Sequence, residues 1–100
     1  MNTSEVITLV AEALSIPVHR WRKGKGNEAV TNARYIAFGI MLEEGIAPIE
    51  AIGAIGLSRT MIGRVTEEFN GRLKVRKDFK TAYLACIARI AEMEEINEQV

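Results

Sequence analysis

The chain has 100 residues, of which 48% are hydrophobic, and it carries 13 basic and 13 acidic side chains. This length is typical of one domain, and the composition is typical of a folded protein and not of a disordered tail or a fibrous repeat. A single cysteine and a single histidine exclude an internal disulfide and zinc sites that are built from several such ligands. No apolar run approaches the roughly 18 residues of a membrane span, and the acidic start lacks the basic region of a signal peptide. We therefore expect one cytoplasmic domain, without a membrane segment or a cofactor.

The neutral total hides a segregation of charge along the chain. Residues 17–34 hold five basic side chains against one acidic, and residues 57–80 hold seven against three, so each segment carries a net charge of +4. The segments 1–16, 35–56 and 81–100 are acidic. A fold that brings the two basic segments together would present one positive face, which attracts phosphate groups although the whole molecule is neutral.

The spacing of apolar residues, three and four apart, predicts helices and no sheet. Asn2 and Glu5 have the spacing of a capping box at the first helix start, and Asn27 is placed to cap the central helix. The predicted fold is an all-α, compact bundle of about five helices. They cover residues 3–14, 28–44, 48–55, 58–69 and 78–97, with a short helical turn at 17–21.

The residues between the third and fourth predicted helices have the pattern of a helix-turn-helix. Gly56 permits the backbone conformation that the turn requires, and Leu57 is an apolar residue that would hold the turn against the core. Ser58 is placed to cap the second helix with its hydroxyl. A helical hairpin that binds nothing is the alternative interpretation.

The predicted recognition helix, 58–69, presents Arg59 and Arg64 on its outward side. A DNA major groove is wide enough to accept such a helix, and arginine pairs with guanine through two hydrogen bonds. Ser58 and Thr60 are better suited to phosphate contacts. This pattern predicts that the helix reads DNA bases.

A glycine-rich basic loop, residues 22–27, precedes the central helix. Arg22, Lys23 and Lys25 on this backbone can follow a sugar–phosphate edge or enter a narrow groove. Each phosphate that is neutralised adds affinity that does not depend on sequence. A second set of cations after the recognition helix either holds the far side of the duplex or is a solvated surface: Arg72, Lys74, Arg76, Lys77 and Lys80.

Residues 22–45, RKGKGNEAVTNARYIAFGIMLEEG, resemble the C-terminal DNA-binding domain of the bacterial replication initiator DnaA, which has a Trp-repressor-like fold. The resemblance extends over about three-quarters of the chain, 6–79. It implies a phosphate or backbone contact for Arg34 and a minor-groove position for the loop that contains Lys25. Thr60 matches a threonine of the family's signature, but Gly-Leu-Ser-Arg-Thr stands where the family has a Gly-Arg-Asp-His-Thr-like run. The resemblance therefore implies the mode of binding and not the target sequence.

These observations predict a single helix-turn-helix domain that binds double-stranded DNA in replication or transcription control. No paired catalytic groups occur at usable spacing, so we expect no enzyme. We expect Trp21 and Cys86 to lie in the core. The alternative is a protein-interaction module, or a homodimer, that docks through the last helix. That surface would consist of Tyr83, Ile87, Ile90 and Met93.

Overall fold

The computed structural model describes residues 1–23 and 27–98, without the side chains of residues 22, 23, 97 and 98. In this part of the chain the secondary structure consists of six α-helices and one 3-10 turn, with no strand. The helices are α1 (Thr3–Leu14), α2 (Val18–Lys23), α3 (Glu28–Glu43), α4 (Pro48–Ala54), α5 (Ile62–Val75) and α6 (Lys77–Glu98). The all-α prediction is confirmed, and the turn predicted after Pro17 is a regular helix, so there are six helices where about five were expected. Across the described residues, no helix is both long enough and apolar enough to span a membrane.

Asparagine side chains start α1 and α3 as the sequence predicted. The Glu5 amide donates to Asn2 Oδ1 at 2.8 Å, and the Asn2 amide donates to Glu5 Oε1 at 3.0 Å. Asn27 Oδ1 accepts from the amides of Ala29 and Val30. Each asparagine therefore satisfies amides that have no partner within the helix.

Helix α3 is the centre of the bundle. It contacts α1, α2, α4 and α5, while α6 packs against α1 and α5. Every residue from 35 to 41 is buried, so this helix is apolar around most of its circumference. The largest fully buried side chains of the core are Phe38, Phe79, Ile36, Ile40, Met41, Ile52, Val6, Val10, Val65 and Cys86.

A glycine allows α5 to approach α3 closely. A Cβ atom on Gly39 would lie 2.5 Å from the Phe69 ring, which is closer than van der Waals contact permits. The Phe69 ring in turn packs edge-on against Phe79 and Tyr83, with ring centroids 5.8 Å and 5.6 Å apart. The position of α5 therefore depends on the absence of a side chain at residue 39.

Three partly polar side chains complete the core. Trp21 is 3% exposed and its Nε1 donates to the Ile16 carbonyl at 3.2 Å. Cys86 is fully buried, and burial raises the pKa of its thiol to about 11. Both core predictions are therefore confirmed. Tyr83 donates to Glu43 Oε1 at 2.6 Å, and burial together with this hydrogen bond raises the pKa of Tyr83 to about 12.

Candidate nucleic-acid interface

The turn between α4 and α5 has the geometry that the sequence predicted. Gly56 has φ +80°, in the left-handed region that favours glycine. The Leu57 amide donates to the Ile52 carbonyl at 3.1 Å, and the Leu57 side chain packs half-buried against the core. The glycine redirects the chain, and the leucine anchors the turn.

The second helix of this unit starts differently from the prediction. The Ser58 hydroxyl does not cap the helix; it lies 2.7 Å from the Thr60 hydroxyl, with which it forms a hydrogen bond. The first turn, Arg59–Met61, is a 3-10 helix in which the Met61 amide donates to the Ser58 carbonyl at 2.9 Å. A backbone carbonyl therefore satisfies the amide that the serine hydroxyl was expected to satisfy.

The regular part of the recognition helix also has different bounds. Helix α5 begins at Ile62 and continues through Asn70 and Gly71, where the sequence predicted its end, to Val75. Leu73 packs against the core one turn after Phe69, and Arg72 Nε donates to Glu68 Oε2 at 2.9 Å across one turn. These contacts offset the roughly 1 kcal/mol that a glycine costs in a helix interior.

The side of α5 that faces away from the core is exposed and carries Arg64, and the other predicted base-reading arginine, Arg59, is exposed in the 3-10 turn just before α5. Val65 and Phe69 are buried on the inner side. Asn70 and Lys74 belong to the outward side but were not predicted, because the predicted helix ended too early. The sequence signal for Asn70 and Lys74 is that polar residues continue at spacings of three and four after Arg64. The α5 outer face consists of Arg59, Gly63, Arg64, Glu67, Asn70, Gly71 and Lys74.

Two arginines at the end of α5 are paired within the molecule. Arg72 Nη1 donates to Glu28 Oε1 at 3.0 Å, and Arg76 Nη1 donates to the same carboxylate oxygen. Arg72 also donates to Asn32 Oδ1 at 2.6 Å. Its guanidinium lies over the Tyr35 ring, 5.0 Å from the centroid, which is a cation–π contact. These contacts join the start of α3 to the end of α5.

The pKa shifts of Glu28 and Arg76 agree with these contacts. The hydrogen bond from Arg76 lowers the pKa of Glu28 below its ordinary value of 4.5. The same hydrogen bond raises the pKa of Arg76. We call the group Glu28, Arg72 and Arg76 the α3–α5 clasp. Its two cations are engaged with a carboxylate, so the expectation that they hold the far side of a duplex has no support from their contacts.

The cations of the α5 outer face are arranged differently. Arg59, Arg64 and Lys74 are exposed and form no ion pair within the described residues. Glu67 is the acidic member of this face, so the face has a net positive charge. Such exposed, unpaired cations are the groups that engage phosphates and base edges in DNA complexes.

Arg34 lies on a different side of α3 from the clasp. It is six residues from Glu28, which corresponds to roughly 120° around the helix axis. Its side chain is half-buried, and its Nε is shielded from solvent without a hydrogen-bond partner. No ion pair involves Arg34 within the residues that the structure covers. Its positive charge is therefore not neutralised by a carboxylate there.

Most residues of the predicted basic loop, or their side chains, lie outside the part of the chain that the structure describes. Arg22 and Lys23 end α2, and their side chains are not described; Lys25 lies outside the described residues. The flanks of the loop are described. Val18 and Trp21 of α2 share a cavity of about 180 Å³ with residues 53–56, which form the end of α4 and the turn. On the other flank, α3 begins at the clasp, so one flank lies beside the turn between α4 and α5 and the other beside the end of α5.

Comparison of the chain with protein-family models, with curated proteins and with solved structures gave no match. Among the described residues, no group of three histidine, cysteine or acidic side chains is arranged to hold a metal ion.

Proposed function

We propose that this protein binds double-stranded DNA with sequence preference, in replication or transcription control. Helix α5 would enter the major groove, and the basic loop would contact the flanking backbone. The observation that carries the proposal is the division among the cations of residues 59–76, in and beside α5. Those that face the molecule are paired with carboxylates, whereas Arg59, Arg64 and Lys74 face solvent without a partner in the described part of the chain.

The chemistry of the α5 outer face suits base recognition. Arg59 and Arg64 can each donate two hydrogen bonds to guanine, and Asn70 is suited to adenine. A Cβ atom added at Gly63 or Gly71 would meet nothing within 4 Å, so neither glycine is required by packing. Bare backbone at these positions lets the helix approach an external surface closely.

Phosphate contacts would come from groups around this helix. The exposed hydroxyls of Ser58 and Thr60 bond to each other and can turn to a phosphate oxygen without leaving a buried group unsatisfied. For Arg34 the resemblance implies a backbone contact; it has no carboxylate partner among the described residues, but it lies on a different side of α3 from the residues that contact α5. The clasp arginines pair with Glu28 and also with Glu68 and Asp78, so they reduce the negative charge at the start of α3 without cancelling it.

The finer fold assignment belongs to the same proposal. We infer a Trp-repressor-like arrangement from the resemblance of residues 22–45 to the DNA-binding domain of the initiator DnaA. The positive φ of Gly56 and the anchoring of Leu57 support a helix-turn-helix. Gly-Leu-Ser-Arg-Thr, residues 56–60, stands in place of the family's signature run, so the target sequence is expected to differ.

Selection of bound sites from random duplex DNA tests the proposal. We expect enrichment of one short motif; a palindromic motif would indicate a dimer, and a single half-site would indicate a monomer. Failure to retain any duplex at low salt would contradict the proposal.

Salt titrations of the selected duplex then separate the two roles. Arg59→Ala should weaken binding to the selected site by about 1–3 kcal/mol more than it weakens binding to a scrambled duplex. The double substitution Lys23→Ala and Lys25→Ala should weaken binding to both duplexes. It should also reduce the slope of log K against log salt concentration by about 1 to 2 units. Arg89→Ala, on helix α6, is the matched control and should change neither quantity.

A further inference from the structure

A groove separates α1, from Ser4 to Glu12, from the last turns of α6. Its volume is about 390 Å³. Leu9 lies at its apolar base, and Met93 and Ile96 line the α6 side while remaining 43% and 63% exposed. The complete lining is Ser4, Glu5, Thr8, Leu9, Glu12, Arg89, Glu92, Met93 and Ile96.

The rim of this groove is acidic. Glu5 and Glu12 lie on the α1 side and Glu92 on the α6 side. Arg89 Nη2 approaches Glu12 Oε2 at 3.6 Å, so one of the three carboxylates is paired across the groove. The groove therefore combines an apolar strip with a net negative border.

We propose that the groove binds an amphipathic helix of a protein partner, with apolar residues on one side and lysine or arginine along its edges. An apolar strip between two helices is the usual receptor for such a helix. The partner's cations would meet Glu5 and Glu92, the carboxylates without an ion-pair partner in the described chain. The lining from Ser4 to Glu12 is roughly 12 Å long, which accommodates about two turns of a partner helix.

Charge argues against other occupants. DNA and anionic membranes carry phosphates, which the three carboxylates would repel. A second copy that docked through the same groove would bring two acidic helix ends together, since Glu92, Glu94 and Glu95 all lie near the end of α6. A basic partner helix removes that repulsion.

This surface differs from the docking face that the sequence predicted. Tyr83, Ile87 and Ile90 pack against the protein's own core and do not form an open face. Of the predicted set, Met93 is the member that the groove contains. Ile96 was not predicted, and its exposure on the α1 side of α6 is visible only from how the helices pack.

Two synthetic helical peptides of about 14 residues test the proposal with the intact chain. Both have the same leucine face; one has lysines along its edges and the other has glutamates. We expect the lysine peptide to bind at least about tenfold more tightly in fluorescence anisotropy. Its NMR shift changes should lie at residues 4–12 of α1 and in the last turns of α6.

Matched variants separate the groove from non-specific attraction. Replacing Met93 and Ile96 by serine should lower the affinity for the lysine peptide by about tenfold or more, because the apolar strip is lost. Leu84→Ser is the control, since Leu84 is 51% exposed on α6 but does not line the groove. It should leave peptide affinity unchanged. Equal binding of both peptides, shift changes elsewhere, or self-association of the free chain that the serine variant abolishes would overturn the proposal.

Discussion

The α5 outer face and the groove between α1 and α6 are both exposed, but they differ in charge. The outer face carries cations that have no ion-pair partner in the described chain, beside two glycines. The groove is concave, with an apolar strip and an acidic rim. The neutral chain therefore has a positive surface on α5 and an acidic groove between α1 and α6.

Charge reversal gives the largest expected contrast between the two surfaces. Arg64→Glu should weaken binding to the selected duplex by about 100-fold, because a base contact is lost and a repulsive charge is gained. Arg89→Glu reverses the same kind of charge beside the groove and should change duplex affinity by no more than about twofold, since screening removes distant charges. Anisotropy titrations at one salt concentration compare the two variants. Equal losses would show that net charge, and not the α5 outer face, determines binding.

A side chain at residue 39 should disturb the packing of α5 against α3, which positions the α5 outer face. Gly39→Ala places a methyl group against the Phe69 ring, which Phe79 and Tyr83 hold in place. We expect a net loss of about 1–2 kcal/mol, since the overpacking cost exceeds the gain in helix propensity. Urea unfolding measures this loss. An unchanged or increased stability would show that the ring can move aside.

A glycine without packing contacts should behave in the opposite way. Gly71→Ala adds a methyl group where nothing lies within 4 Å. The helix should gain about 0.5–1 kcal/mol in free energy of unfolding. If α5 approaches DNA closely, the same methyl group should weaken duplex binding several-fold, whereas affinity for the basic peptide should not change. A variant that is more stable and binds DNA equally well would place Gly71 outside the interface.

The smallest expected effect concerns the clasp. The pKa of Glu28 is lowered in the folded protein by Arg76, so its contribution to stability is present above its ordinary pKa of 4.5. That contribution is lost as the pH falls through the lowered folded value. Glu28→Gln should therefore lose less stability than the wild type between neutral pH and about pH 3. Identical pH profiles for Glu28→Gln and the wild type would contradict a stabilising role for the clasp.

Local signals in the sequence predicted the helices well. The capping box at Asn2 and the positive φ at Gly56 depend on residues that are close in the chain, so spacing alone identifies them. The end of α5 could not be predicted in this way. Gly71 is a break signal, but Arg72 contacts Glu28 and Asn32, which are 44 and 40 residues away in the sequence, and those contacts extend the helix.

For the candidate surfaces, too, local spacing could be predicted from the sequence and contacts between distant segments could not. The outward positions of Arg59 and Arg64 follow from helical periodicity, so their exposure could be predicted. The pairing of Arg72 and Arg76 with Glu28 depends on how α3 packs against α5. The groove depends on two helices at opposite ends of the chain, and no local pattern indicates which sides of α1 and α6 remain uncovered.

An NMR titration of the intact chain with its selected duplex tests the central claim most directly. We predict shift changes at the amides of Gly63, Arg64, Glu67, Asn70 and Gly71, and none at Thr8, Glu92 or Met93. Shift changes confined to the α1 and α6 residues, or an α5 outer face unaffected by a bound duplex, would contradict the proposed binding mode.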